Sequence, residues 1–204
     1  MSLWLAPRPL VLASQSRIRR ELLTKAGIPV VVIVSDVDER SIETPLTRTS
    51  TAPDMVARHL ARAKAQAVSR FSHDELVLGA DQVLAVDDRL FTKPSDKIQA
   101  AAQLGELSGR THYLHSAFCL VRGGEILAED AAAARLTMRR LSAAFIDRYL
   151  DAAGQAILGC VGAYQLEGLG IHLFDHVEGD QSTILGLPLL PLLAALRRQG
   201  VVAS

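Results

Sequence analysis

Asp81 follows the short apolar run Leu76-Val77-Leu78 and the two small residues Gly79 and Ala80, which let other groups come close to a carboxylate. Open α/β sheets bind ligands where their strands end, so Asp81 is the best single candidate for a catalytic carboxylate. The alternative is an aspartate that caps a turn. Two lysines and one hydroxyl-rich stretch offer positive partners. Lys64 lies one turn beyond Leu60 on the apolar stripe Val56, Leu60, Ala63 and Ala67, among alanines, where a long cation either reaches along a packed surface toward an anion or simply snorkels to water. Lys93 precedes Pro94, which stiffens the loop into the next helix and suits a fixed phosphate ligand or an idle surface lysine.

Ser14-Gln15-Ser16-Arg17-Ile18-Arg19-Arg20-Glu21-Leu22-Leu23 carries cations at the wrong end of a helix. The first turn presents unpaired N–H groups and the positive end of the backbone dipole, where arginine is mildly unfavourable. A bound anion would remove the conflict, since hydroxyl, backbone N–H and guanidinium groups all donate to phosphate oxygens. Three solvated arginines pairing with Glu21 and other neighbours are the competing reading. Asp36, Asp38 and Glu39 form an acidic cluster that either joins Asp81 around a divalent cation or is a solvated loop.

The elements that must position these residues are a mixture of strands and helices. Leu10 to Ala13 and Val30 to Val34 read as strands flanking the cationic helix, which starts near Ser16 and stops at Gly27. The Thr/Ser/Pro-rich stretch from about residue 40 to Pro53 reads as a long loop, and Asp54 as the cap of a helix to about Phe71. Leu76 to Leu78 is a buried strand, with Leu84 to Val86 continuing to an Asp87-Asp88 turn. Ser95 caps a helix ended by Gly109. His112 to Val121 and Ile126 to Met138 form a long hairpin around Gly123-Gly124, and Ser142 caps a helix stopped by Gly154. A glycine-punctuated stretch leads to a strand over 171–177, and Pro188 opens a last helix to about Arg198. One antiparallel hairpin among alternating strands and helices predicts an α/β fold with a mixed sheet.

Composition narrows the chemistry. Twenty-two basic and 22 acidic residues cancel, so no global field draws this 204-residue chain to nucleic acid or to an anionic membrane. Hydrophobic residues make up 49%, enough for a real core. No leader pattern and no run of about 18 apolar residues appears, which predicts a cytoplasmic location and no membrane partner. The two cysteines, Cys119 and Cys160, lack metal or CxxC spacing and read as buried thiols. There is no P-loop, no Gly-rich dinucleotide fingerprint, no HExxH and no GxSxG, and the six histidines are too scattered for zinc.

Leu12-Ala13-Ser14-Gln15-Ser16, Arg19, Glu21-Leu22-Leu23, Asp38-Glu39, Ala63-Lys64-Ala65, Gly79-Ala80-Asp81-Gln82, Lys93-Pro94, Leu107-Ser108-Gly109, Gly162-Ala163-Tyr164, Glu167-Gly168, Glu178-Gly179-Asp180 and Gly186-Leu187-Pro188-Leu189 occur in one collinear order. Together they resemble the Maf family of nucleoside triphosphate pyrophosphatases over nearly the whole chain. The resemblance implies a single domain over 1–204, with an elongated mixed α/β sheet and flanking helices, related to inosine triphosphatase, and a cleft between two lobes. It also implies a divalent metal cation (Mg²⁺ or Mn²⁺), a nucleoside triphosphate substrate and often a homodimer. By resemblance, Asp81 accepts a proton from water, Glu39 assists with metal or water so that both are metal ligands, and Ser14, Arg19, Lys64 and Lys93 contact phosphates.

The family reaction is attack on the α-phosphorus, giving a nucleoside monophosphate and pyrophosphate, with noncanonical or modified nucleotides as substrates. Ile18, Gln82 and Glu167 match positions that set base choice. Gln82 and Glu167 resemble the branch acting on 7-methyl-GTP, and a carboxylate at Glu167 suits the N–H donors of guanine. Ile18 departs from that branch, which carries an aromatic residue there, and this points toward broad or purine-leaning activity. Tyr164 either supplies stacking instead or is a core tyrosine. The alternative function is a non-catalytic nucleotide-binding regulator of septum formation and cell division.

Overall fold

A computed structural model describes residues 2–48, 51–87 and 89–204, except the side chains of residues 47 and 48. Asp88, expected in the turn after residue 86, lies outside the described residues. In chain order the elements are β1 (Leu10–Leu12), α1 (Arg17–Lys25), β2 (Val30–Val32), α2 (Glu39–Arg48), α3 (Pro53–Ser69), β3 (Val77–Val86) and β4 (Arg89–Phe91). There follow α4 (Lys97–Leu107), β5 (Thr111–Arg122), β6 (Glu125–Met138), α5 (Ala143–Ala153), 3-10 turns between 154 and 173, β7 (Phe174–Glu178), α6 (Gln181–Ile184) and α7 (Leu189–Arg198).

Local chemistry sets most boundaries. Ser16 Oγ accepts from Arg19 N at 3.3 Å and opens α1, while Ser142 Oγ accepts from Phe145 N at 3.2 Å and opens α5. Gly27 and Gly154 stop those helices with φ of 75° and 68°. Asp96, rather than Ser95, caps α4 by accepting from Gln99 N at 2.8 Å; Ser95 Oγ instead donates to the Asp96 carboxylate.

Three expectations are corrected. The 40–53 stretch carries helix α2 because Ile42 and Leu46, one turn apart, pack against the cluster beneath α3. The strand expected to end at Leu78 runs on through Asp81 to Val86. The last strand starts at Phe174 rather than Ile171, because residues 169–173 wind into a 3-10 turn.

One seven-stranded mixed sheet has the order β2-β1-β3-β5-β6-β7, with β4 added to β3. Strands β2, β1 and β3 are parallel, and β3, β5, β6 and β7 are antiparallel. Alternation along β3 separates its two faces. Val77 and Val83 join the cluster under α3, whereas Leu78 and Ala80 join that of α1 and α7, and Leu84 and Val86 join that of α4 and α5. Ala80 and Leu84 therefore belong to different cores, and the residues between them mark a waist.

Candidate functional site

That waist is a gap in the sheet. Strand β1 pairs with β3 only as far as Leu12↔Leu78, where Ala13 N still donates to Leu78 O at 2.8 Å. Strand β4 joins the same strand only from Leu84↔Phe91 onward. Between them, Gly79 to Val83 have no strand partner on that edge among the described residues. Asp81 stands at the centre of the opening, just past the point where its neighbour β1 leaves β3 and well inside its own strand rather than at that strand's end.

Gly79 brings a cation to it. A Cβ on Gly79 would sit 2.1 Å from Ala61 O and 2.6 Å from Ala65 N, so only glycine lets α3 lie this close to β3. The group that Gly79 lets come close is thus the backbone of helix α3. Lys64, between those two alanines, donates to Asp81 Oδ1 and lies 2.7 Å from Glu39 Oε1. Lys64 and Asp81 are each 7% exposed. A buried ammonium shared by two carboxylates is neither a turn cap nor a snorkelling lysine.

The electrostatics are strongly coupled. Burial works to raise the Glu39 carboxyl pKa, but the Lys64 hydrogen bond and charge, with Lys93 and Arg19, hold it below the usual range. Glu43, one helical turn further along α2, shifts the other way, because burial and the negative charges of Asp81 and Glu39 disfavour its ionised form. Sequence reading missed Glu43: taking residues 40–53 as loop hid its i,i+4 relation to Glu39. Asp38 caps α2, accepting from Arg40 N at 3.1 Å, and Asp36 is exposed, so these two carboxylates do not join Asp81.

Only one of the three arginines in α1 turns inward. Arg17 pairs with Glu21 at 2.6 Å on the surface, and Arg20 is exposed. Arg19 is 8% exposed and crosses the gap: Nη1 donates to Ala80 O at 2.7 Å and to Ser14 Oγ at 3.1 Å, and Nε donates to Gly186 O at 2.7 Å. Burial pushes its pKa down, while Asp81 and Glu39 support its charge. Ser14 also accepts from Ser16 N at 3.3 Å, which leaves its own hydroxyl proton to donate. Lys93 is exposed beside buried Pro94, and its charge acts on both Glu39 and Glu43.

Gln82 faces the opposite side of the sheet. Its Nε2 meets Ile184 O at 2.9 Å, Thr183 O at 3.1 Å and Ser116 Oγ at 3.0 Å, and Ser116 Oγ donates to Thr183 O at 2.7 Å. These bonds tie α6 to the sheet. Beyond α6 lies a groove of about 260 Å³, lined by Leu166, Glu167, Ile171, Gln181, Ile184 and Leu185 among others. Glu167 borders this groove, Gln82 holds one of its walls from behind, and Ile18, half-buried on α1, takes no part in the lining. Tyr164 is a core residue, 5% exposed.

The Maf-like protein family model matches residues 9–199. The chain belongs to the Maf-like protein family. A Rhodopseudomonas palustris protein named nucleoside triphosphate pyrophosphatase is 54% identical over 203 residues, covering 100% of both chains. One from Bradyrhizobium diazoefficiens with the same name is 51% identical over the same span. A 7-methyl-GTP pyrophosphatase from Rhizobium johnstonii is 49% identical over 193 residues, 95% of this chain and 97% of that one. The solved nucleoside-triphosphatase, dITP/XTP pyrophosphatase, of Mycobacterium abscessus overlaps 66% of this chain and 76% of its own, at 18% identity and a TM-score of 0.40. In this Maf-like chain, Asp81 and Glu39 converge on one ammonium and offer hard oxygen donors of the kind Mg²⁺ and Mn²⁺ accept. Among the described residues, no group of three His, Cys, Asp or Glu is arranged to hold a metal alone. Two carboxylates completed by substrate phosphates and water are a common Mg²⁺ arrangement, so the donor set fits.

Proposed function

We propose that this chain hydrolyses nucleoside triphosphates, including modified ones, to the nucleoside monophosphate and pyrophosphate. The observation that carries the reading is Lys64 held between Asp81 and Glu39 in the gap between β1 and β4. A carboxylate poised to take a proton lies beside a cation poised to take a phosphate oxygen.

In this reading the Asp81 carboxylate accepts a proton from a water whose oxygen attacks the α-phosphorus. The bond from that phosphorus to the oxygen bridging to the β-phosphate breaks, and pyrophosphate leaves with that oxygen. Lys64, Lys93, the remaining donor Nη2 of Arg19 and the Ser14 hydroxyl offset the charge of the phosphate tail and the charge developing in the transition state. Arg19 has a second duty, since its bonds to Ala80 O and Gly186 O fix the rim of the gap. A divalent cation, Mg²⁺ or Mn²⁺, bound by Asp81 and Glu39 would supply further charge neutralisation at the phosphates.

The base end of the substrate falls to the groove beside α6, where Glu167 accepts hydrogen bonds from a guanine-type edge. Among the described residues, the apolar walls of this groove carry no aromatic side chain to stack on a cationic base, which favours breadth among purines over strict selection of a methylated base. We place the activity on the free nucleotide pool of the cytoplasm; no helix among the described residues is long and apolar enough to cross a membrane. Sedimentation of the purified chain tests for a homodimer.

The decisive experiment incubates pure protein with a nucleotide panel and Mg²⁺ or Mn²⁺, resolving pyrophosphate from orthophosphate. Pyrophosphate release that disappears in Asp81→Asn is expected. Intact triphosphates at every protein concentration would refute the enzyme, and binding without turnover would favour the cell-division regulator.

A further inference from the structure

The base-binding groove has two walls, and each is tied to the central sheet by buried polar contacts. The α6 wall hangs from Gln82 and Ser116. The other wall, residues 165–171, follows a turn that the proposed reaction does not use. His112 on β5 is fully buried, and its Nε2 lies 2.8 Å from the Tyr164 hydroxyl. Its Nδ1 is buried without a hydrogen-bond partner among the described residues, so whichever tautomer is present, Tyr164 is the one polar group holding this ring. Phe174 packs edge-on against Tyr164 with centroids 4.9 Å apart and lies 5.8 Å from the His112 ring.

The turn before Tyr164 is held as firmly. Gly162 and Ala163 both have positive φ, 76° and 57°, and the latter is a left-handed conformation unusual for a residue with a Cβ. The Tyr149 hydroxyl donates to Ala163 O at 3.2 Å. A Cβ on Gly162 would stand 2.6 Å from Leu84 Cδ1 and 2.8 Å from the Tyr164 ring, so the turn sits directly on β3, three residues from Asp81. Beyond Tyr164, Gln165 O accepts from Gly168 N at 3.2 Å and Gly170 N at 3.1 Å, closing a tight loop whose exposed tip is Glu167.

We propose that His112 and Tyr164 are positioning residues for base selection: their buried hydrogen bond fixes the turn that sets Glu167 opposite α6, and so the width and register of the groove. A hydrogen bond between two neutral groups in a low-dielectric core defines one geometry sharply, because any displacement leaves both groups unpaired. Glu167, three residues downstream on a loop braced by its own backbone bonds, inherits that geometry. The inference rests on the groove's assignment to the base in the proposed function.

Tyr164→Phe removes one oxygen and keeps the ring packed on Phe174. The variant is compared with wild type for KM, kcat and binding of non-hydrolysable guanine and uracil triphosphate analogues, well below the unfolding temperature. Tyr113→Phe, a partly exposed tyrosine on the same strand, serves as control. For Tyr164→Phe, guanine KM and analogue Kd rise roughly five- to tenfold, the scale of one lost hydrogen bond. The kcat changes much less, and the preference for guanine over uracil falls. His112→Gln, which retains a polar group, gives a smaller change in the same direction.

An unchanged base preference in folded Tyr164→Phe, or an equal loss of kcat on every base, overturns the inference while hydrolysis by wild type leaves the proposed function standing. Failure of wild type to bind any nucleotide removes both.

Discussion

Gly79→Ala tests whether the contact between α3 and β3 builds the site. The added Cβ would lie 2.1 Å from Ala61 O, 2.6 Å from Ala65 N and 2.9 Å from Ala65 Cβ. Two of these atoms are helix backbone and cannot rotate away, so the helix must retreat by about 1 Å or more to restore van der Waals separation. Lys64 lies between those alanines and Asp81 two residues beyond Gly79, so the retreat falls directly on the Lys64–Asp81 contact. Overpacking of this kind costs about 1–3 kcal/mol. In a chain of this length that lowers Tm by roughly 2–12 °C. A 1 Å misplacement of a catalytic pair costs on the order of a hundredfold in rate, so kcat/KM should fall by about that factor.

Gly105→Ala is the internal control. Gly105 lies within α4, its added Cβ would meet nothing within 4 Å, and the change should stabilise by about 0.5–1 kcal/mol without touching activity. Thermal unfolding and pyrophosphate-release kinetics on both variants decide the matter. A Gly79→Ala protein with wild-type Tm and wild-type kcat/KM would show that the helix does not need glycine beneath it, and that Lys64 is not set by this contact.

Further outcomes follow from the charges. Glu43 has a raised carboxyl pKa in the fold, so its ionised form at pH 7 opposes folding; Glu43→Gln should raise Tm at pH 7, with the gain vanishing as pH falls through the carboxylate range. A gain that persists at acid pH in thermal melts would trace the effect to packing. His112 is lowered from 6.5 to about 4 by burial alone, so its contribution is fully present above pH 6.5 and is lost as pH falls toward 4, because the unfolded chain then binds the proton first. That amounts to about 3 kcal/mol over the window; urea titrations of His112→Phe should show a flatter pH dependence there, and an unchanged slope would contradict a buried neutral imidazole. Lys64→Met removes the ammonium that both Asp81 and Glu39 contact and leaves only the more distant charges of Arg19 and Lys93, so triphosphate hydrolysis should fall by on the order of a hundredfold or more and the protein should lose stability. Retention of both in kinetic and melting assays would sink the role given to the bridge.

Much of this protein was legible in one dimension. Ser16, Gly27, Ser142 and Gly154 mark helix ends because a cap needs only a local hydroxyl or a positive φ, and the sheet hairpin shows itself through the turn at Gly123-Gly124. Asp81 and Lys64 stood out because each lies beside small residues, Glu39 because it belongs to an acidic cluster, and Arg19 because it is one of three cations at the start of a helix. The helix over 39–48 was hidden behind its Thr, Ser and Pro residues, since the two apolar side chains that stabilise it work only against α3, a partner distant in sequence.

Which arginine of α1 faces inward, that Glu43 joins the carboxylates and that Gln82 points away from Asp81 were decided by packing. So was the gap itself: no residue of β3 announces that β1 will leave it at Leu78 and that β4 will join only at Leu84. Local sequence determines caps, turns and periodicity because those depend on neighbours along the chain. The placing of a carboxylate opposite a lysine 17 residues away depends on how closely a helix can approach a strand, and that is fixed by atoms meeting in space.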